Sequence, residues 1–317
     1  MNVLVIGGTG QIGFYLCKEL VKKKNQIFVT TRNTNLKKSK LFKKFFGKKI
    51  KILNFNIKDE KNVKKKILKI KPSIIYYLAG QSSVQKSFTN KKETLESNYI
   101  GCKNILNFLK NFHLNCKFIN FTSSEIFQSS KKKNSIYSKK NPVSPYGLAK
   151  FKSYQITKQY REKGVQSYNA ILFNCESEIR PKNFVLPKIC LAAIAAEKLF
   201  KSSKVSKFNF GNIKIIRDWG WAEEYVKIIL EYTNLRPQDF VVASGKSFSI
   251  ESLLNEAFKF FSLNWKDYVT YNSAFLRKGE AKYRYASIKK MKKDIGYTPK
   301  INGKEIIHKL INHYQKC

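Results

Sequence analysis

The stretch NVLVIGGTGQIGFYLCKELVKKKNQIFVTT, residues 2–31, decides the fold. Residues 2–6 are a short apolar run, and glycines follow at once. Gly7, Gly10 and Gly13 fit G-x-x-G-x-x-G, while Gly8, Gly10 and Gly13 also fit G-x-G-x-x-G. Apolar residues at helical spacing come next (Phe14, Leu16, Leu20, Val21), then a second strand, QIFVTT. In this strand–turn–helix–strand setting the glycines let the backbone approach a pyrophosphate at a helix N-terminus. There the unpaired N–H groups and the helix dipole favour an anion. Gly7, Gly10, Gln11, Ile12 and Gly13 are therefore expected against a dinucleotide. The second strand ends in Thr30-Thr31-Arg32-Asn33, where an NAD site usually places Asp or Glu on the ribose hydroxyls. Arg32 suits a 2′-phosphate instead, so NADP is the expected cofactor.

Working outward, the alternation of strand and helix continues. KIKILNFNIKDE reads as a third strand with Asn56 and Ile57 at its carboxyl end, and Lys61 to Lys71 as a basic amphipathic helix. Pro72 breaks the chain before the fourth strand, SIIYYLAGQSSV, whose tip (Leu78, Ala79, Gly80) is small enough for a cofactor to pass closely. Residues 92–112 have helical spacing, and CKFINFTSSE is a fifth strand. The pattern predicts an α/β fold: a doubly wound parallel sheet of Rossmann type with right-handed crossovers. A smaller C-terminal α/β lobe is expected to carry the substrate. The boundary is placed at 174, with residues 1–174 binding the cofactor, 175–317 mainly forming the lobe, and parts of 212–243 returning to the first domain. FNFGNIKIIRDWGW (208–221) reads as a hairpin followed by a turn.

The fifth strand delivers Ser123, Ser124 and Glu125, and SPYGLAK (144–150) opens the next helix with Tyr146 and Lys150. A hydroxyl, a carboxylate, a phenol and an ammonium make an acid/base set. Tyr146 and Lys150 are four apart and share a helix face. An ammonium beside a phenol favours the phenolate and lowers a pKa otherwise about 10. Ser123, Glu125, Tyr146 and Lys150 are the candidate catalytic residues, at the strand ends where such sheets bind ligands.

Composition narrows the partners. The formal charge is +41, from 62 Lys and Arg against 21 Asp and Glu. Only seven of the cations are arginines, the residue that base readout and bidentate phosphate clamps favour. The lysines are spread along the chain, so nucleic-acid binding is not expected. The six cysteines are scattered, with no metal-like pairing with the three histidines, which argues for free thiols, a reducing cytoplasmic setting and no metal site. Met1 leads directly into an apolar strand with no basic leader, so no signal peptide is expected. No apolar run is long enough to cross a bilayer, and no membrane partner is expected.

The chain resembles the extended short-chain dehydrogenase/reductase superfamily and, more closely, the GDP-mannose 4,6-dehydratase family. The resemblance rests on AGQSSVQKSF (79–88), TSSEIF (122–127), SPYGLAK (144–150), NAILFNCESEIRPKNFVLPKI (169–189) and RDWGWAEEYV (217–226). It implies conversion of GDP-mannose to GDP-4-keto-6-deoxymannose. In that reaction Ser123 and Tyr146 act at the sugar O4, Lys150 on the nicotinamide ribose, and Glu125 as the acid/base at C5 and C6. It also implies Ser82, Ser83, Asn174, Lys188 and Arg217 on the sugar and diphosphate, Arg277 and Glu280 on the nucleotide, and Arg180 near the cofactor phosphates. A homodimer or homotetramer is implied in the same way. The departures are Ser123 for Thr, Ser83 for His in Gln-Ser-His, Cys175 for His in Asn-His-Glu-Ser, and Trp221 for His in RDWGHA. A segment between the last lobe strands also looks shortened. An epimerase or 4-ketoreductase on the same scaffold needs the Tyr/Lys pair but no carboxylate at C5, so Glu125 discriminates. The other alternative is a non-catalytic cofactor-binding protein with a basic surface.

Overall fold

The computed structural model describes residues 1–32, 34, 37–202, 206–276 and 280–316. The chain forms two compact units. The first comprises Met1–Gln128, Ser138–Leu172 and Val226–Val242; the second comprises Ser129–Tyr137, Phe173–Tyr225 and Ala243–Cys317.

In chain order the first unit carries β1 (Asn2–Ile6), α1 (Gln11–Lys22), β2 (Gln26–Thr31), α2 (Lys37–Phe46), β3 (Ile50–Asn54), α3 (Glu60–Ile70) and β4 (Ile74–Tyr77). It continues with α4 (Val84–Thr89), α5 (Lys91–Leu95), α6 (Gly101–Asn111), β5 (Lys117–Ser123), α7 (Pro145–Glu162) and β6 (Ser167–Leu172). The second unit takes β7 (Asn174–Glu176), α8 (Val185–Lys201), β8 (Phe208–Phe210) and β9 (Ile216–Trp221). Then α9 (Ala222–Tyr232) leads back to β10 (Asp239–Val242) in the first unit. Finally β11 (Ser247–Ser249), α10 (Ile250–Lys259), β12 (Val269–Tyr271), β13 (Tyr283–Arg284), α11 (Lys289–Ile295) and α12 (Gly303–Gln315) complete the second.

Seven strands of the first unit form one sheet in the order β10-β6-β5-β4-β1-β2-β3, with every pairing parallel. The doubly wound class expected from the alternation is the one observed. Strand order runs outward in both directions from the β1/β4 pair, and ligands of such sheets bind beyond the strand carboxyl ends at that reversal. The strands read as continuous apolar runs because both faces are covered: Val3, Leu4, Val5, Ile75 and Tyr77 are wholly buried. On one face Leu4, Ile6, Ile75 and Tyr77 pack with Ile67 of α3 and Ile105 and Leu109 of α6.

Residues 92–112 are helical as expected, with a π turn, Glu96–Ile100, between α5 and α6. One expectation is corrected. The run at 208–221 is no hairpin. β8 pairs with β12, whereas β9 is the centre of a separate sheet between β11 and β13, with β7 also on β9. The carbonyls of Ile213 and Ile215, between them, accept the first amides of α10 (Glu251 and Ile250), so no hairpin ladder can close. Of residues 212–243, β9 belongs to the second unit and Val226–Val242 to the first.

Candidate active site

The first turn is shaped by missing side chains. Gly7 adopts φ +73°, and a Cβ there would lie 2.6 Å from the Ala79 Cα, so the turn after β1 presses directly on the tip of β4. A Cβ on Gly13 would stand 2.0 Å from the Gly8 carbonyl oxygen, which is why α1 can begin so tightly against the turn. Gly10, at the N-cap of α1, faces open space and has no side chain with which to cap the helix. The result is a cradle of main chain ending at a helix N-terminus, the form that a pyrophosphate fits. Leu78, Ala79 and Gly80 follow β4, and Asn56 and Ile57 follow β3, both at the carboxyl edge. Arg32 closes β2, but its guanidinium is paired with Glu93 of α5 at 2.5 Å.

The catalytic candidates converge in the same unit. β5 ends at Ser123, whose hydroxyl accepts the Glu125 amide (3.2 Å) and caps a 3₁₀ turn over Ser124–Ile126. Ser144 accepts the Gly147 amide at 3.0 Å and Pro145 takes the first position of α7, so this helix begins in a fixed pose. Gly147 is seated on the Glu125 carbonyl, since a Cβ there would come within 2.7 Å of that oxygen. The turn carrying Glu125 and the helix start carrying Tyr146 are thus in direct contact.

Tyr146 and Lys150 lie on the buried side of α7. The Lys150 Nζ is 6.0 Å from the Tyr146 ring centroid and donates to the Phe121 carbonyl on β5 at 2.7 Å. Burial lowers its amine from the usual lysine value to about 8, with Cys102 opposing. Burial disfavours the charged form, so this ammonium is poised to lose its proton more easily than a surface lysine.

The remaining candidates have individual partners. Ser83 caps α4, accepting from the Lys86 amide at 3.2 Å, while Ser82 is exposed. In the second unit the Asn174 carbonyl accepts the Tyr225 hydroxyl (3.1 Å). Arg180 is 3.5 Å from Glu176 and stacks on Phe184 at 3.6 Å. Burial pushes the Glu176 carboxyl up to about 7 against the pull of Arg180. Lys188 donates to the Asn209 carbonyl at 2.6 Å over the Phe210 ring. Arg217, buried on β9, donates to the carbonyls of Ile216 (2.9 Å) and Lys282 (3.3 Å). Glu280 is half-buried. Arg277 lies outside the described residues. Among the described residues no cluster of His, Cys, Asp or Glu could hold a metal, and no helix is long and apolar enough to cross a membrane.

The GDP-mannose 4,6 dehydratase family model matches residues 4–310. The chain belongs to this family. GDP-mannose 4,6 dehydratase 1 of Arabidopsis thaliana is 30% identical over 98% of this chain and 88% of its own length. GDP-mannose 4,6-dehydratase of Vibrio cholerae is 31% identical over 80% of this chain and 69% of its own. Among solved structures, the dTDP-glucose 4,6-dehydratase of Bacillus anthracis, in complex with NAD, superposes with a TM-score of 0.83 at 16% identity, covering 100% of this chain and 97% of that one. UDP-glucuronic acid 4-epimerase from Bacillus cereus gives 0.83 at 17%, covering 100% and 99%. Dehydratases and epimerases share this fold, so the fold does not choose between them; the family match places the chain with the 4,6-dehydratases, which are lyases.

Sequence reading missed two parts of the site in this family member. Asn98, in the π turn, donates to the carbonyls of Gln81 (3.1 Å) and Thr94 (2.9 Å). Its Oδ1 is buried and finds no hydrogen-bond partner among the described residues, and a Cβ on Gly80 would stand 2.2 Å from it. An Asn inside an otherwise helical run is the available signal, since Asn is a poor interior helix former. The second part is the seat of α7. Asp239 on β10 receives the Tyr154 hydroxyl (2.7 Å), the Asn169 amide (3.0 Å) and the Arg161 guanidinium. Asn169 also donates to the Tyr154 carbonyl (3.0 Å), and Asn120 donates to Asn169 and Thr157.

Proposed function

We propose that the protein removes water from GDP-mannose to give GDP-4-keto-6-deoxymannose, using NADP bound at the first turn. The observation that carries this reading is the seating of the Glu125 turn on the first turn of α7, beside Tyr146. A dehydratase needs a carboxylate next to its tyrosine; a 4-epimerase does not.

The cradle fits a nicotinamide dinucleotide: Gly7, Gly10, Gln11, Ile12 and Gly13 hold the pyrophosphate, with Asn56, Ile57, Leu78, Ala79 and Gly80 along its path. Arg32 would exchange Glu93 for a 2′-phosphate, and Arg180 is assigned to the cofactor phosphates. When bound there, the cofactor would supply the reversible hydride exchange between C4 and C6 of the hexose. Tyr146, as phenolate, takes the O4 proton, and Ser123 donates a hydrogen bond to O4. Lys150 holds the ribose hydroxyls and, while protonated, favours the phenolate. The 4-ketone makes the C5 hydrogen acidic. Glu125 removes that proton and delivers one to the C6 hydroxyl, which departs as water. The enolate left when hydride returns to C6 takes a proton back at C5, and the one Tyr146 gained from O4 balances it. Each positioned proton transfer is worth roughly a hundred- to ten-thousand-fold. Ser82, Ser83, Asn174, Lys188 and Arg217 are assigned to the sugar and diphosphate, Arg277 and Glu280 to the nucleotide. The reading takes the protein to be cytoplasmic and a homodimer or homotetramer; the buried cysteines, none of them in a disulfide among the described residues, suit the first of these.

The test is a panel of GDP-, UDP-, CDP- and dTDP-hexoses with catalytic NADP⁺, read by mass spectrometry for loss of one water. GDP-mannose should lose it without net cofactor reduction, and Glu125→Gln should stop the loss while still binding NADP⁺. Stoichiometric NADPH consumption with a keto-sugar and no water loss would overturn the reading.

A further inference from the structure

The helix α2 has no place in the chemistry above, yet its composition is the most one-sided in the chain. Between Glu19 and Asp59 there is no acidic residue, and thirteen Lys and Arg occupy that interval. The inward side of α2 is settled: Phe42 and Phe46 are buried, with ring centroids 6.0 and 5.3 Å from that of Phe14 on α1. The outward side carries Leu41, 57% exposed, and Phe45, 61% exposed, one turn apart on the same stripe. Phe45 is braced rather than loose, with Phe14 and Phe46 each at 4.8 Å. Lys40, Lys43 and Lys44 flank the stripe, Lys48 and Lys49 follow it, and all five are exposed. None of the five is paired with a carboxylate among the described residues. Lys22, Lys64, Lys201, Lys214 and Lys290, by contrast, each find one at 2.7 Å or less.

We propose that α2 is a docking face for an anionic lipid surface, on which the helix lies flat with Leu41 and Phe45 in the headgroup–acyl boundary and the lysines on the headgroups. The occupant follows from chemistry. A helix with large apolar side chains on one stripe and lysines around it matches an interface that is apolar below and anionic above. A nucleic-acid backbone would satisfy the lysines but leave Leu41 and Phe45 facing phosphates, and Lys in place of Arg gives no bidentate clamp. None of Leu41, Phe45 and the flanking lysines is among the residues assigned to cofactor and substrate.

The experiment is flotation of the full chain with phosphatidylcholine vesicles, with and without phosphatidylglycerol, at low and at physiological salt. The expected result is flotation only with the anionic lipid, weakening as salt screens the lysines. Leu41→Ser combined with Phe45→Ser should reduce the floated fraction about tenfold, and Lys40→Glu with Lys43→Glu and Lys44→Glu should abolish it. Both variants should keep the wild-type rate of water loss and the wild-type far-UV spectrum. Phe200→Ser, which removes an equally exposed aromatic from α8 (64%), should float as wild type. The proposal is overturned if wild type does not float, or if the double serine variant floats as well as wild type, which would mean diffuse lysine adhesion. It is equally overturned if single-stranded DNA binds through the same lysines while vesicles do not. Self-association that the serine variant abolishes, with no vesicle binding, would make the face a contact for a second copy instead.

Discussion

The turn after β1 and the seat of α7 reach the same end, a fixed carboxyl edge of one sheet, by opposite means. The turn is held by absent atoms: Gly7 and Gly13 allow main chain to touch main chain, and one added methyl would stand 2.0 Å from a carbonyl oxygen. The seat of α7 is held by paired atoms, with Asp239 collecting Tyr154, Asn169 and Arg161, and Lys150 tied to Phe121. A site built on vacancy tolerates no addition, whereas a site built on pairing tolerates no removal.

The largest effect should come from filling the vacancy. Gly13→Ala forces backbone apart and should cost more than the about 1–3 kcal/mol of ordinary overpacking, lowering both the melting temperature and cofactor affinity. Gly10→Ala meets nothing within 4 Å, so it should melt like wild type and lose only NADP⁺ affinity. Equal loss of stability in the two variants would erase the contrast. Next in size, Tyr146→Phe should lower kcat by roughly a hundred- to ten-thousand-fold with the fold intact by circular dichroism, since it deletes only the proton acceptor.

Removing a partner from the α7 seat should be milder. Asp239→Ala strands a phenol, an amide and a guanidinium, and should cost about 1.5–3 kcal/mol, read by urea unfolding, with NADP⁺ affinity little changed. If affinity fell as far as stability, the turn and the seat would not be independent. The smallest effect concerns Lys150, whose folded value of about 8 lies below the unfolded lysine value of 10.5. Between those values the unfolded chain holds more protons, so this group makes stability rise with pH across that window. Lys150→Met should flatten that rise. In the wild type, kcat/KM should fall as pH passes through about 8, because the neutral amine no longer supports the phenolate.

Legibility followed the range of the contacts. The glycine turn and the start of α7 depend on residues within a few positions, and sequence spacing exposed them. The misread hairpin at 208–221 shows the limit: alternation predicts a strand but not its partner, and here α10 claimed the carbonyls a hairpin would have used. Asp239, which is 85 positions from Tyr154, gave no local sign of its role.

By itself the sequence determined the parallel sheet, the dinucleotide turn and the helix that carries Tyr146 and Lys150, because glycine sterics, helix caps and apolar periodicity are short-range forces. Only the tertiary structure decided that the π turn sets Asn98 against Gly80, that Asp239 anchors α7, and that α2 turns Leu41 and Phe45 outward. Those arrangements are hydrogen bonds and packing between residues far apart in the chain, and such pairs exist only once the sheet has brought its strands together.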